Sequence, residues 1–252
     1  HRHLVNHPGA RLTAIADFPR DALPESLRAD NSIREHATLE SLLADEDVHL
    51  VSLCSAKRCE QARHAIGAME AGKHVYAEKP AALSEAELDE IVATAARTGR
   101  RFHEMAGSAF VQPYRAMRDI VQSGVLGTVV QVLGQKSYPM HDRRPQDEQV
   151  DGGIIRQAAV HATRWIEHVA GVRVADVKAI ETSLGNPRAG EFPDGGLRMA
   201  ATLMFTLENG GVGAIVANYL NPRGIGTWGN ESLRIFGTHG MLESTDAGTR
   251  TR

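Results

Sequence analysis

Between residues 11 and 105 short apolar runs alternate with amphipathic segments of helical length, and this rhythm restricts the fold more than any other feature of the chain. Arg11 to Asp17 is an apolar run ending in an acid and reads as a buried strand. Thr38 can cap a short helix carrying Leu39, Leu42 and Leu43, after which Val48 to Cys54 returns as a strand. Ala62, Ala65, Ile66 and Met69 recur at helical spacing, Gly72 is placed to stop that helix, and Lys73 to Ala77 is the next strand. Ser84 and Glu87 have capping-box spacing ahead of a predicted apolar face of Leu88, Ile91, Val92 and Ala95. Gly99 stands beyond its end, and Arg101 to Met105 closes the series. Strands separated by such helices need crossover connections, so the reading is an α/β, Rossmann-like, doubly wound parallel sheet with helices on both faces.

After Met105 the texture changes. Pro113 opens a helix with Tyr114, Met117, Ile120 and Val121 inward and Gly124 at its end. Strands are predicted over Val129 to Gln135, Val174 to Thr182, Met199 to Leu207, Val212 to Leu220 and Ser232 to Phe236, with Glu208 to Gly211 as a turn. One helix interrupts them from about Ile155 to Ala170, with Ala158, Ala162, Trp165, Ile166 and Val169 at core spacing and Gly171 as its stop. The expectation is a partial dinucleotide-binding domain over 1–106. An α+β substrate-binding and oligomerisation domain with an open, mainly antiparallel sheet occupies 107–252.

A formal net charge of -3 offers no broad basic field of the kind nucleic-acid binding needs. No apolar run approaches the ~20 residues that span a bilayer, and the start lacks the apolar core of a signal peptide. The expectation is a cytoplasmic protein with a small-molecule partner and neither nucleic acid nor membrane. Cys54 and Cys59 are the two cysteines, too few for a disulfide framework; they read as packing thiols rather than as a metal site with His64, so no metal is expected.

The segment Ala71 to Pro80, ending Glu78-Lys79-Pro80, resembles the signature of the Gfo/Idh/MocA oxidoreductases. Asp151-Gly152-Gly153 leading through Gln157 to His161 looks like that family's Gly-Gly stretch and helical histidine, and His7 to Asp17 looks like its second strand. The resemblance covers nearly the whole chain. It implies that a first strand and its glycine-rich turn would precede His1, and that relatives continue past the strand pair of Ser232 to Glu243. The sequence would then be cut short at both ends, without the main phosphate cradle, and the implied activity is that of the parent protein.

Asp17 ends a strand where a carboxylate can accept hydrogen bonds from ribose hydroxyls and oppose a 2′-phosphate, which favours NAD over NADP; Arg20 could instead pair with that phosphate. Cys54, Ser55 and Ala56 follow a buried strand and resemble the family loop that passes the cofactor. Lys79 matches the family's catalytic lysine, and its charge would stabilise a developing alkoxide; Glu78 would lie near the cofactor or hold Lys79. His161 matches the histidine that exchanges a proton with the substrate hydroxyl. Gln157, His161, Arg164 and His168 form a polar stripe that a solvated helix face would mimic. In the inositol-dehydrogenase branch acids commonly stand where Gln157 and Arg164 do. Gln157 can hydrogen-bond a hydroxyl, and Arg164 could read a substrate carboxylate. Lys136, Tyr138 and Arg143, in a predicted loop from Gln135 to Pro145, are further substrate contacts.

The implied function is NAD(P)-dependent hydride transfer to or from a hydroxyl of a sugar, inositol, sugar acid or related polyol. Redox-assisted glycoside hydrolysis and a non-catalytic dinucleotide sensor or regulator remain open on the same fold. By analogy with relatives, the antiparallel sheet would join copies into a homo-oligomer, a dimer or tetramer.

Overall fold

The computed structural model describes residues 7–221, 230–245 and 250–251. The chain divides into two compact units, His1–Ala56 with Glu60–Met105, and Lys57–Cys59 with Ala106–Arg252.

The first unit contains β1 (Ala14–Ala16), β2 (Arg34–His36), α1 (Leu39–Leu43), β3 (Leu50–Leu53), α2 (Gln61–Glu70), β4 (His74–Ala77), α3 (Glu85–Thr98) and β5 (Phe102–Glu104). Every strand pair is parallel, as the crossover argument requires, but the strands form two groups, β1–β2 and β3–β4–β5. Local chemistry sets the helix ends. Thr38 and Ser41 cap α1 reciprocally, Ser84 and Glu87 do the same for α3, and Gly99 leaves α3 in the left-handed region at φ 67°. Helix α2 packs on β3, β4 and α3. The core joins Val51, Leu53 and Val75 to Ala62, Ala65, Ala68, Met69 and Ile91. Leu88 and Val92 do not join the buried face expected of them: they are 46% and 60% exposed, and α3 buries Ile91 and Thr94 instead.

The second unit contains α4 (Tyr114–Gln122), β6 (Val129–Ser137), α5 (Val160–His168), β7 (Val174–Thr182), β8 (Ala200–Leu207), β9 (Val212–Asn218), β10 (Asn230–Gly237), β11 (Gly240–Thr245) and β12 (Arg250–Thr251). Its sheet runs β12-β11-β10-β6-β9-β8-β7, antiparallel throughout except for β6 with β9. Helix α5 lies over β6 and β9. Gly134 lies under this helix: a Cβ there would meet Ile215, Ala162 and Trp165 at ordinary contact distances of 3.4, 3.5 and 3.5 Å. Trp165 is wholly buried and stacks on Tyr114 with ring centroids 4.5 Å apart. Burying each such large apolar side chain contributes roughly 1.5–3 kcal/mol.

Two expectations are corrected here. The helix predicted from about Ile155 is not uniformly α-helical, because Ile155–Ala159 winds as a π turn in which the Val160 N–H reaches the Ile155 carbonyl. Gln157, inside that turn, and His161, just beyond it, are both buried. The predicted loop from Gln135 also starts later. Gln135, Lys136 and Ser137 belong to β6, where Ser232, Glu231 and Asn230 of β10 supply their partners. Among the described residues no helix is long and apolar enough to cross a membrane.

Candidate functional site

In the first unit the candidate residues collect at the C-terminal ends of β3, β4 and β5. Backbone bonds tie these ends together: the Glu78 N–H donates to Leu53 O at 2.8 Å, and the Met105 N–H to Ala77 O at 2.7 Å. Beyond β4 comes Glu78-Lys79-Pro80, with a cis peptide bond between Lys79 and Pro80. Lys79 Nζ lies 3.5 Å from Glu78 Oε1, and the same carboxylate oxygen accepts the Lys79 N–H at 3.0 Å. Glu78 thus holds Lys79, one of the two roles read for it. Glu104, at the end of β5, accepts the Ala81 N–H at 2.9 Å and steadies the far side of the turn.

Gln61, which the sequence reading passed over, is the brace of this region. It is fully buried in the first turn of α2. Its Oε1 accepts the Ser55 N–H at 3.0 Å, and its Nε2 donates to Pro80 O at 2.8 Å and to Glu78 O. One neutral amide therefore ties the Cys54-Ser55-Ala56 loop to both carbonyls flanking Lys79. Ser55 is buried, whereas Cys54 and Ala56 are exposed.

Ser55 Oγ also lies 2.8 Å from His64 Nδ1, while Arg63 Nη2 lies 2.9 Å from His64 Nε2. A guanidinium can only donate, so Nε2 accepts and Nδ1–H donates to Ser55. Burial, then the neighbouring Arg63 charge, holds the imidazole below the ordinary histidine range, against the pull of Glu60, Glu40 and Asp17. Asp17 follows β1 at φ 50°, the one non-glycine residue with positive φ among those described. Arg20 is committed within its own loop: Nε meets Glu35 at 2.5 Å, Nη1 donates to Asp30 O at 3.1 Å and Nη2 to Ile33 O at 2.6 Å. No group of three metal-ligating side chains occurs among the described residues.

In the second unit the Gly-Gly stretch makes a tight entry to the helix, with Gly152 at φ 101° and Gly153 at φ 79°. Asp151 is buried; it pairs with Arg144 at 3.1 Å, and its carbonyl accepts the amide of Gln157. Arg144 lies 4.0 Å from the centroid of the Tyr219 ring and donates to its hydroxyl at 2.8 Å. Burial pushes the Tyr219 phenol well above the ordinary tyrosine range, so it stays protonated. His161 is 9% exposed, with Nδ1 3.1 Å from Ser108 Oγ. Arg164 Nη1 reaches Ala106 O at 3.5 Å, and the His168 ring lies 5.2 Å from that of Phe110. Three members of the polar stripe, His161, Arg164 and His168, therefore meet the segment Ala106 to Phe110, while Gln157 bonds to the Asp151 carbonyl.

The three remaining candidates separate. Lys136 is 4% exposed and ion-paired with Glu231, whose carboxylate also accepts from the Tyr114 hydroxyl at 3.3 Å. Its ammonium lies 5.1 Å from the centroid of the buried Tyr138 ring. Arg143 is exposed and lines a pocket with Pro139, His141 and Asp142.

Residues 1–105 match the oxidoreductase family with an NAD-binding Rossmann fold, and residues 114–243 match the GFO/IDH/MocA C-terminal domain. The chain belongs to the GFO/IDH/MocA family. This GFO/IDH/MocA chain is 25% identical over 247 residues to the uncharacterized oxidoreductase YrbE of Bacillus subtilis, covering 95% of the chain and 68% of that protein. It is 23% identical over 236 residues to the myo-inositol 2-dehydrogenase of Thermotoga maritima, covering 92% and 67%. The chain thus spans about two thirds of each of these curated relatives. Its fold matches a solved Thermotoga maritima structure assigned as an oxidoreductase, with a TM-score of 0.83 at 24% identity over 100% of this chain and 80% of that one.

Within this GFO/IDH/MocA chain, Gln61, Ser108 and Arg144 are the residues that sequence reasoning missed. Gln61 carried one available signal, a polar residue beside the apolar positions that open α2. Ser108 carried none, because His161 returns from a distant segment, and Arg144 pairs both with nearby Asp151 and with distant Tyr219.

Proposed function

We propose that this family member transfers hydride reversibly between NAD and a hydroxyl of a polyol, sugar, sugar acid or related hydroxy acid, with Lys79 and His161 as its catalytic residues. The observation that carries this reading is the seating of Lys79. It stands at a strand end of the NAD-binding unit, where ligands bind in such folds, in a turn braced by Glu78, Gln61 and Glu104.

The residues present fit the ribose and nicotinamide ends of the cofactor. Asp17 offers a carboxylate to the ribose hydroxyls and repels a 2′-phosphate, while Arg20, the nearby cation that could favour NADP, is engaged with Glu35 and backbone carbonyls. NAD, when bound, accepts or returns the hydride. The Lys79 ammonium stabilises the alkoxide as the hydroxyl loses its proton, and the His161 imidazole takes that proton and later returns it. Arg164 and Gln157 favour substrates with a carboxylate or hydroxyl near the reacting carbon.

The outer face of the seven-stranded sheet supports self-association: Ile180, Met204, Val212 and Val216 are 76%, 56%, 46% and 39% exposed on neighbouring strands. Two copies that cover this face would form a homodimer, and Met204→Lys should lower the mass seen by light scattering.

The deciding assay follows NADH formation across inositols, sugars and sugar acids for the protein, Lys79→Ala and His161→Ala. Loss of turnover in both variants with cofactor binding retained is the expected result. NAD binding with no net NADH from any substrate would overturn the reading in favour of redox-assisted cleavage or a sensor.

A further inference from the structure

His161 faces a fixed partner. Ser108, 3.1 Å from its Nδ1, stands in the tight turn Gly107–Phe110, which packs against α5. Two more contacts fasten that segment to the same helix, Arg164 to the Ala106 carbonyl and Phe110 to His168. A neutral imidazole has two tautomers, and the group bonded to one nitrogen decides which is populated. The residue four positions earlier, Gln157, has no carboxylate to draw the Nδ1 proton, and its amide donates to Asp151 O.

We propose that Ser108 is the positioning residue for His161: its Oγ accepts the Nδ1–H and keeps the lone pair on Nε2, the nitrogen that takes the proton of the substrate hydroxyl. This rests on His161 being the proton-exchanging group. Ser108 does not touch the reacting atoms and acts through the ring, as the orienting partner of a histidine base does. A hydroxyl is uncharged, so it sets tautomer and orientation without the pull a carboxylate exerts on an imidazolium. The arrangement suits a base that must release its proton readily in the reverse direction.

Long-range proton–nitrogen spectra of protein labelled with ¹⁵N-histidine test this, with the His161 signals assigned by their loss in His161→Gln. In the protein itself Nδ1 should be the protonated nitrogen. Ser108→Ala should move His161 toward the Nε2–H form that an unconstrained imidazole prefers, and lower kcat about tenfold with KM changed less than about twofold. Ser108→Thr, which keeps the hydroxyl, should restore both. If Ser108→Ala folds poorly, Ser108→Cys, similar in size and a much weaker acceptor, gives the same reading. An Nε2–H tautomer in the unmodified protein, or a His161 spectrum unchanged by Ser108→Ala, would overturn the assignment. The spectrum does not depend on turnover. Full activity in His161→Ala would instead overturn the catalytic reading of His161.

Discussion

The side-chain amide of Gln61 donates to the Pro80 carbonyl at 2.8 Å while its oxygen accepts the Ser55 N–H at 3.0 Å, joining the ends of two neighbouring parallel strands. Helix α2 begins between those strands in sequence, so its first turn delivers the amide to the strand ends where Lys79 stands.

Removing that amide leaves a buried N–H and two carbonyls without their partner. Gln61→Ala should therefore lower stability by about 2–4 kcal/mol. Gln61→Glu should recover little of it, because a carboxylate accepts from Ser55 but cannot donate to the two carbonyls. Urea titrations of the three proteins check this, and equal midpoints would refute the brace.

His64 should titrate below the ordinary value of 6.5, because burial and Arg63 disfavour its charged form. Between its folded value and 6.5 the unfolded chain binds more protons, so stability conferred by neutral His64 is complete above 6.5 and lost as the pH falls from there. Denaturation from about pH 7.5 to about pH 5 should show that slope, and His64→Gln should flatten it. An NMR titration placing His64 at or above 6.5 would exclude this account.

Asp17 combines a carboxylate with a left-handed backbone at φ 50°. Asp17→Gly should leave stability nearly unchanged, whereas Asp17→Val should cost roughly 1–2 kcal/mol, since a β-branched residue is strained there. Both should shift the ratio of NAD to NADP affinity toward NADP by about tenfold. Calorimetric titration with each dinucleotide measures that ratio, and an unchanged ratio would remove Asp17 from the cofactor site.

Gly153→Ala should destabilise more than Gly124→Ala. Both glycines have positive φ, 79° and 78°, and so share the backbone penalty of about 1 kcal/mol. Only at Gly153 does the new Cβ crowd a neighbour, Glu148 Oε2 at 3.0 Å. Thermal melts of the two variants give the difference directly, and equal melting temperatures would show that Glu148 yields freely.

The sequence alone determined what is encoded within a turn or two of chain. Thr38 and the Ser84–Glu87 pair cap their helices, Gly72, Gly99 and Gly124 follow helices with positive φ, and alternating strands and helices gave the parallel first unit. The place of Lys79 just beyond β4 was legible from the strand-like run Lys73 to Ala77 and the proline that follows, and its candidacy from the resemblance carried by Glu78-Lys79-Pro80. Tertiary structure decided which groups meet. Lys136 lies in a strand against Glu231 because β10 pairs with β6, and His161 meets Ser108 from 53 positions away. The burial of only part of the α3 stripe was likewise visible only in the folded unit. Caps and periodicity act through dihedral angles and near neighbours, whereas a buried polar side chain takes its hydrogen-bond partner from whichever distant segment the packed core brings to it.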